Sequence, residues 1–104
     1  MDKNRILQRI NDAVLEVEPK AEVILFGSRA RGDAKADSDW DLLVLVPYDV
    51  DLVAEQKFRH TLFDLELEFG ASFSTFVYSK SIWEKKYPVT PFYKNIKQEE
   101  GIRL

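Results

Sequence analysis

Apolar residues recur along residues 4–17 at three- and four-residue spacing: Ile6, Ile10, Ala13, Val14 and Val17. That period predicts an amphipathic helix, with Asp2 or Asn4 able to cap its start and Pro19 just past its end. The pattern then changes. Val23-Ile24-Leu25-Phe26 carries no polar residue on either face of an extended chain, as a buried strand requires. Ser28 to Arg31 fits one helical turn that Gly32 is suited to stop, and Asp33 to Ser38 reads as a polar loop. Trp40 to Val46 predicts a central strand ended by Pro47. Residues 51–69 give the longest predicted helix, with Ala54, Phe58, Leu62, Leu65 and Phe69 as its apolar stripe and Gly70 as its C-cap. Phe73 to Tyr78, with polar Ser74 and Thr75, reads as a third strand. Ser79 is placed to cap a short helix through Trp83 to Lys86, and Thr90-Pro91 to open a last helix stopped by Gly101. This alternation of helices and strands describes an α/β protein of the α+β kind, a small sheet covered by helices. Whether the strands run parallel or mixed is not legible in this pattern.

Composition narrows the function classes. At 104 residues the chain has material for one core, so residues 1–104 are expected to form a single domain. Apolar residues make up 45% and charged residues 32%, as in ordinary soluble proteins. The net charge of −3 gives no field to draw in nucleic acid, which is therefore not expected as a sole partner. Any polyanion must be held locally, by a metal and by Arg29 or Arg31. The absence of cysteine excludes disulfides and thiolate metal sites. No apolar run approaches ~20 residues and the N-terminus is charged from Asp2 to Arg5, so the expectation is a cytoplasmic protein with neither membrane span nor signal peptide.

The chemistry concentrates in Gly27-Ser28-Arg29-Ala30-Arg31-Gly32 followed by Ser38-Asp39-Trp40-Asp41. Backbone amides at a strand-to-helix turn carry partial positive charge and suit a phosphate. Ser28 has two compatible roles there, N-cap of the short helix and phosphate ligand. Asp39 and Asp41, two apart in an extended segment, project from one face roughly 6–7 Å apart at the backbone. They could be acids that merely keep a strand end soluble. However, Asp41 shares its face with Leu43 and Leu45, and an acid at the mouth of a buried face needs a partner or a cation. Oxygen ligands beside a phosphate favour Mg²⁺. Arg29 is assigned to ligand contact and Arg31 is left open, since helix residues two apart point in different directions. One of them can instead pair with Asp33 or Asp37, both read as loop acids. His60, the only histidine, falls opposite the long helix's stripe and reads as a surface residue.

The stretch GSRARGDAKADSDWDLLVLV resembles the minimal nucleotidyltransferases of the DNA polymerase β superfamily. That family is marked by a Gly-Ser turn, a spacer of about ten residues and an Asp-x-Asp pair opening a strand. The resemblance implies a mixed sheet and a polymerase-β-like nucleotidyltransferase fold. It also implies Mg²⁺-dependent transfer of a nucleoside monophosphate from a nucleoside triphosphate to a hydroxyl. Gly27, Ser28 and Arg29 would hold the nucleotide, while Asp39 and Asp41 would be the catalytic metal ligands. Small members are often antitoxins paired with an all-helical HEPN-type ribonuclease toxin, which offers a second reading as an interaction protein.

The chain departs from the family's pattern in one respect. Active members supply a third carboxylate from a later strand, and Phe73 to Tyr78 contains none. Ser74 stands where that acid would fall, and Glu66 is the possible substitute, although Glu66 and Glu68 read more simply as helix-surface charges. The chain is then a slow enzyme, one completed by a partner, or a nucleotide binder without catalysis. Leu52, Phe63 and Leu67 lie opposite the long helix's stripe. Either the C-terminal segment with Phe92, Tyr93 and Ile96 folds over them, or they form an apolar patch for another subunit, including a second copy of this chain.

Overall fold

A computed structural model of the chain describes residues 3–86, 89–98 and 101–104. The first helix, α1 (Lys3–Val17), buries Ile6, Ile10, Ala13 and Val14, the residues its periodicity selects. Asn4 lies inside this helix and so is not its cap, and Asp2 falls outside the described residues. After α1 come β1 (Glu22–Phe26), the four-residue α2 (Ser28–Arg31), β2 (Trp40–Val46) and α3 (Leu52–Phe69). The remaining elements are β3 (Phe73–Ser79), α4 (Lys80–Lys86), α5 (Pro91–Gln98) and a two-residue β4 (Ile102–Arg103). Ser79 and Thr90 cap their helices as the sequence offers, and Asp51, expected inside the long helix, is its cap. Asp51 Oδ1 accepts from Ala54 N at 2.8 Å, Ser79 Oγ from Ile82 N at 3.0 Å, and Thr90 Oγ1 from Tyr93 N at 3.2 Å. Gly70 closes α3 in the left-handed conformation, φ 60°, where a glycine has no Cβ to strain.

The sheet has the order β3-β2-β1-β4 and is mixed: β1 runs antiparallel to β2 and β4, while β2 runs parallel to β3. The fourth strand is not anticipated by the residue pattern. Ile102-Arg103 is too short to show a period, and pairing with Ile24 and Leu25 makes it a strand. Glu22 on β1 binds both Lys80 at 2.8 Å and Arg103, which fastens this edge. The Lys80 ammonium lowers the Glu22 carboxyl below its ordinary pKa.

Alternation along the strands divides the core in two. Val23, Leu25, Trp40, Leu42, Val44 and Val46 face α1 and α3, where Phe58, Leu62 and Leu65 of α3 complete an aliphatic core. Ile24, Phe26, Leu43 and Leu45 face the other way, against Trp83 of α4 and Ile96 of α5, with Tyr78, Phe92 and Tyr93 packed around them. Phe92, Tyr93 and Ile96 therefore cover the opposite side of the sheet and do not fold over α3. Leu52, Val53, Phe63 and Leu67 stay 68%, 61%, 51% and 69% exposed on its outer face. His60 is exposed there too, as its position implies. Among the described residues no helix is long and apolar enough to cross a membrane.

Candidate active site

The candidate residues meet at one end of the sheet. Antiparallel register sets Phe26 opposite Asp41, and parallel register sets Ser74 beside Asp41 from the other strand. Residues paired across strands project from a common face. Phe26, Asp41 and Ser74 thus form a row on the side covered by α4 and α5. Asp39, one step before β2, joins this row because Ser74 Oγ donates to Asp39 Oδ2 at 3.4 Å.

Gly27 lets the row close. Its backbone has φ 74° and ψ −158°, a region that only glycine occupies readily. A Cβ there would stand 2.1 Å from Asp41 Oδ2 and 3.0 Å from its Cγ. The Asp41 carboxylate is therefore seated directly on the Gly27 backbone, an approach no other residue permits. Glycine at position 27 thus clears space for the carboxylate.

Ser28 differs from its expected role. Gly27 occupies the N-cap, its carbonyl accepting from Ala30 N at 3.1 Å and Arg31 N at 3.0 Å, and no side chain caps α2. Ser28 is the first helical residue. Its carbonyl accepts from Gly32 N at 3.0 Å and Asp33 N at 3.2 Å, and Gly32 ends the turn at φ 86°.

The two arginines separate. Arg29 Nη2 donates to the carbonyls of Ser38 at 2.9 Å and Ala36 at 3.3 Å, and its guanidinium lies 4.5 Å from the centre of the Trp40 ring. It braces the loop that delivers Asp39. Arg31 pairs with Asp33 at 3.3 Å and lines a cleft of about 330 Å³ together with Gly27, Ser28 and Asp41. Three further walls of this cleft, Phe92, Asn95 and Ile96, belong to α5. Sequence reasoning did not find them, since α5 is more than fifty residues from Asp41 and only its amphipathic pattern hints that one side is buried. A wider, shallower depression of about 850 Å³ runs along α3 past Val53, Lys57, His60 and Phe63, and touches none of the candidate site residues.

Among the described residues no group of three His, Cys, Asp or Glu side chains converges on one point. The donors at the site are the Asp39 and Asp41 carboxylates and the Ser74 hydroxyl. This all-oxygen set fits a hard divalent cation whose coordination is completed by substrate phosphates. Glu66 rides on α3, which packs against the opposite face of the sheet from Asp41 and Ser74. Glu68 is a surface charge, held by Arg9 at 3.1 Å.

A glycine turn carrying a carboxylate at the end of a mixed sheet, with helices on both faces, is the layout of the polymerase-β-like nucleotidyltransferase fold. The chain belongs to the nucleotidyltransferase domain family, whose pattern it matches over residues 7–103. It is similar to a candidate protein adenylyltransferase of Methanocaldococcus jannaschii, 33% identical over 78 residues that cover 75% of this chain and 72% of the relative. A second candidate protein adenylyltransferase of the same organism is 40% identical over 60 residues, covering 58% of this chain and 61% of that protein. Among solved structures, a toxin–antitoxin with AMP-PNP superposes with a TM-score of 0.63 at 19% identity, over 99% of this chain and 72% of that one. A mutant of the toxin–antitoxin MntA-HpeT gives 0.61 at 17% identity, over the same shares. At such identities these two structures establish the fold alone.

Proposed function

We propose that this chain transfers a nucleoside monophosphate from a nucleoside triphosphate to a hydroxyl group on another protein, with Mg²⁺ held by Asp39 and Asp41. The observation that carries this reading is the Asp41 carboxylate seated on the Gly27 backbone, inside a cleft that also holds Ser28 and Arg31. A carboxylate and phosphate-seeking donors are thereby brought within one small volume. AMP is the favoured group because the relatives in sequence are candidate protein adenylyltransferases.

The residues divide the work. Backbone N–H groups at Gly27 and Ser28, with the Ser28 hydroxyl, bind the triphosphate, and Arg31 adds a charge at the cleft wall. Arg29 is a positioning residue, fixing through Ala36 and Ser38 the loop that carries Asp39. A bound divalent cation would neutralise phosphate charge and make the acceptor hydroxyl more acidic. The acceptor oxygen forms a bond to the α-phosphorus as the bond to the β-phosphate oxygen breaks, and pyrophosphate leaves. The acceptor's proton passes to water or to a group on the acceptor, because Ser74 already donates to Asp39 and is no base at neutral pH. A slow enzyme, or one completed by its partner, follows from that gap.

A second reading is a nucleotide-binding antitoxin that acts by contact with a helical, HEPN-type partner. The exposed Leu52, Val53, Phe63 and Leu67 of α3 favour it, since a monomer seldom leaves four large apolar side chains together in water. Label from α-phosphate-labelled ATP, appearing on a protein encoded beside this one, supports transfer. A tight complex without label supports contact alone.

The binding step is tested by melting. Mg²⁺ with ATP at a hundred times its Kd should stabilise the fold by about 2.7 kcal/mol. Asp39→Asn with Asp41→Asn should leave the metal-free melt close to wild type and abolish the Mg²⁺-dependent part. A double variant that keeps the full shift places the metal elsewhere.

A further inference from the structure

The cleft has two chemically distinct sides. One is the Gly27-Ser28 turn with Asp41 and Arg31, all suited to phosphate and metal. The other is α5, whose cleft-lining residues Phe92, Asn95 and Ile96 carry no charge. Phe92 and Ile96 occupy its inward side, Ile96 only 5% exposed and Phe92 in ring contact with Phe26 at 5.6 Å and Phe76 at 5.1 Å. Asn95 lies three residues beyond Phe92, on the same helix face, and lines the cleft as that face's polar group. Thr90 caps the helix through Tyr93 N, and Phe92 packs edge-on against Trp83 with centroids 5.4 Å apart. The Asn95 amide is thus carried on an anchored element at the rim of the site.

From this division we infer that α5 reads the nucleoside of the substrate, with Asn95 selecting the base and favouring adenine. The inference rests on the nucleotide-binding role proposed above. An asparagine amide presents a donor and an acceptor side by side, and adenine offers the matching pair, N7 to accept and the N6 amino group to donate. Guanine presents two acceptors, N7 and O6, at the same edge, so the amide oxygen would meet an acceptor. The aromatic group around Phe92 supplies an apolar wall for the base without adding charge.

The test is calorimetric titration with Mg²⁺ and three probes: a non-hydrolysable ATP analogue, the GTP analogue, and inorganic tripolyphosphate. Wild type should bind the ATP analogue more tightly than either other probe. Asn95→Ala, at an exposed position where folding is not at stake, should weaken the ATP analogue about tenfold and leave tripolyphosphate unchanged. Preference for adenine over guanine should disappear with it. Equal loss for both nucleotide analogues means that Asn95 holds the sugar, and base selection by this residue is refuted. Equal loss for tripolyphosphate as well assigns Asn95 to the phosphates and overturns the proposal entirely. If wild type binds tripolyphosphate but the ATP analogue no more tightly, α5 does not read the nucleoside while the phosphate cradle stands. If wild type binds none of the probes, the nucleotide-binding role itself fails.

Discussion

The two faces of the sheet solve different problems with the same strands. Toward α1 and α3 the side chains are mostly aliphatic and closed to water: Ile6, Ile10, Leu25, Leu42 and Val44 are at 0% exposure. Toward α4 and α5 the packing is mostly aromatic and in part open to water. Phe26, Phe76, Phe92, Tyr78 and Trp83 meet through rings whose centroids lie 5.1–6.3 Å apart, and Phe76 remains 37% exposed. The candidate site opens only on this second face, where Asp41 and Ser74 replace apolar residues at the strand ends. Burial on one side can hold the sheet rigid while the other side stays accessible to charge. The division shows why Glu66 cannot stand in for Ser74: each belongs to a different face.

Four substitutions would break or sharpen this contrast. Leu42→Ala, deep in the aliphatic face, should cost about 2–5 kcal/mol in denaturant unfolding. Phe76→Ala, on the aromatic face, should cost only about 1 kcal/mol for its ring pairs. Equal costs would mean that both faces carry the fold alike.

Gly27→Ala probes the site end of the sheet. The added methyl meets Asp41 Oδ2 at 2.1 Å on a backbone of positive φ, so about 1–3 kcal/mol of stability should go. Asp41 must also move, and the ATP-dependent rise in melting temperature should vanish. A folded Gly27→Ala protein with wild-type affinity for ATP would rule out the cradle.

Ser74→Asp should have the smallest effect on the fold and the most telling one on function. It restores a third carboxylate beside Asp41 and within reach of Asp39. Without metal the crowded carboxylates should lower the melting temperature by a few degrees, because like charges at close range disfavour ionisation. With Mg²⁺ the order should reverse, and transfer to any acceptor should speed up. An Mg²⁺-induced shift no larger than wild type's would remove Ser74 from the metal site.

Much of this was legible in the sequence because its causes are local. The spacing of Ile6, Ile10 and Val14 dictates a helix face. The unbroken run Val23 to Phe26 dictates a strand buried on both sides, and Gly27 followed by Asp39-Trp40-Asp41 marks the strand ends that meet at the candidate site. The position of Ser74 was readable too, since strand alternation alone puts it on the face of Phe76 and Tyr78. Other features depend on which elements meet, and no local pattern contains that. Arg29 and Arg31 are equivalent in sequence. Only the folded arrangement sets the Arg29 guanidinium over Trp40 and onto the carbonyls of Ala36 and Ser38, and leaves Arg31 at the cleft. Gly27, whose positive φ lets Asp41 approach its backbone, takes the N-cap in place of Ser28. Ile102 and Arg103 became a strand through their partners on β1. The last helix, amphipathic on either side of the sheet, could have covered Leu52, Phe63 and Leu67. It covers Phe26 and Leu43 instead, with Phe92 packed among the rings of β3 and α4, and so Asn95 lines the same cleft as Asp41.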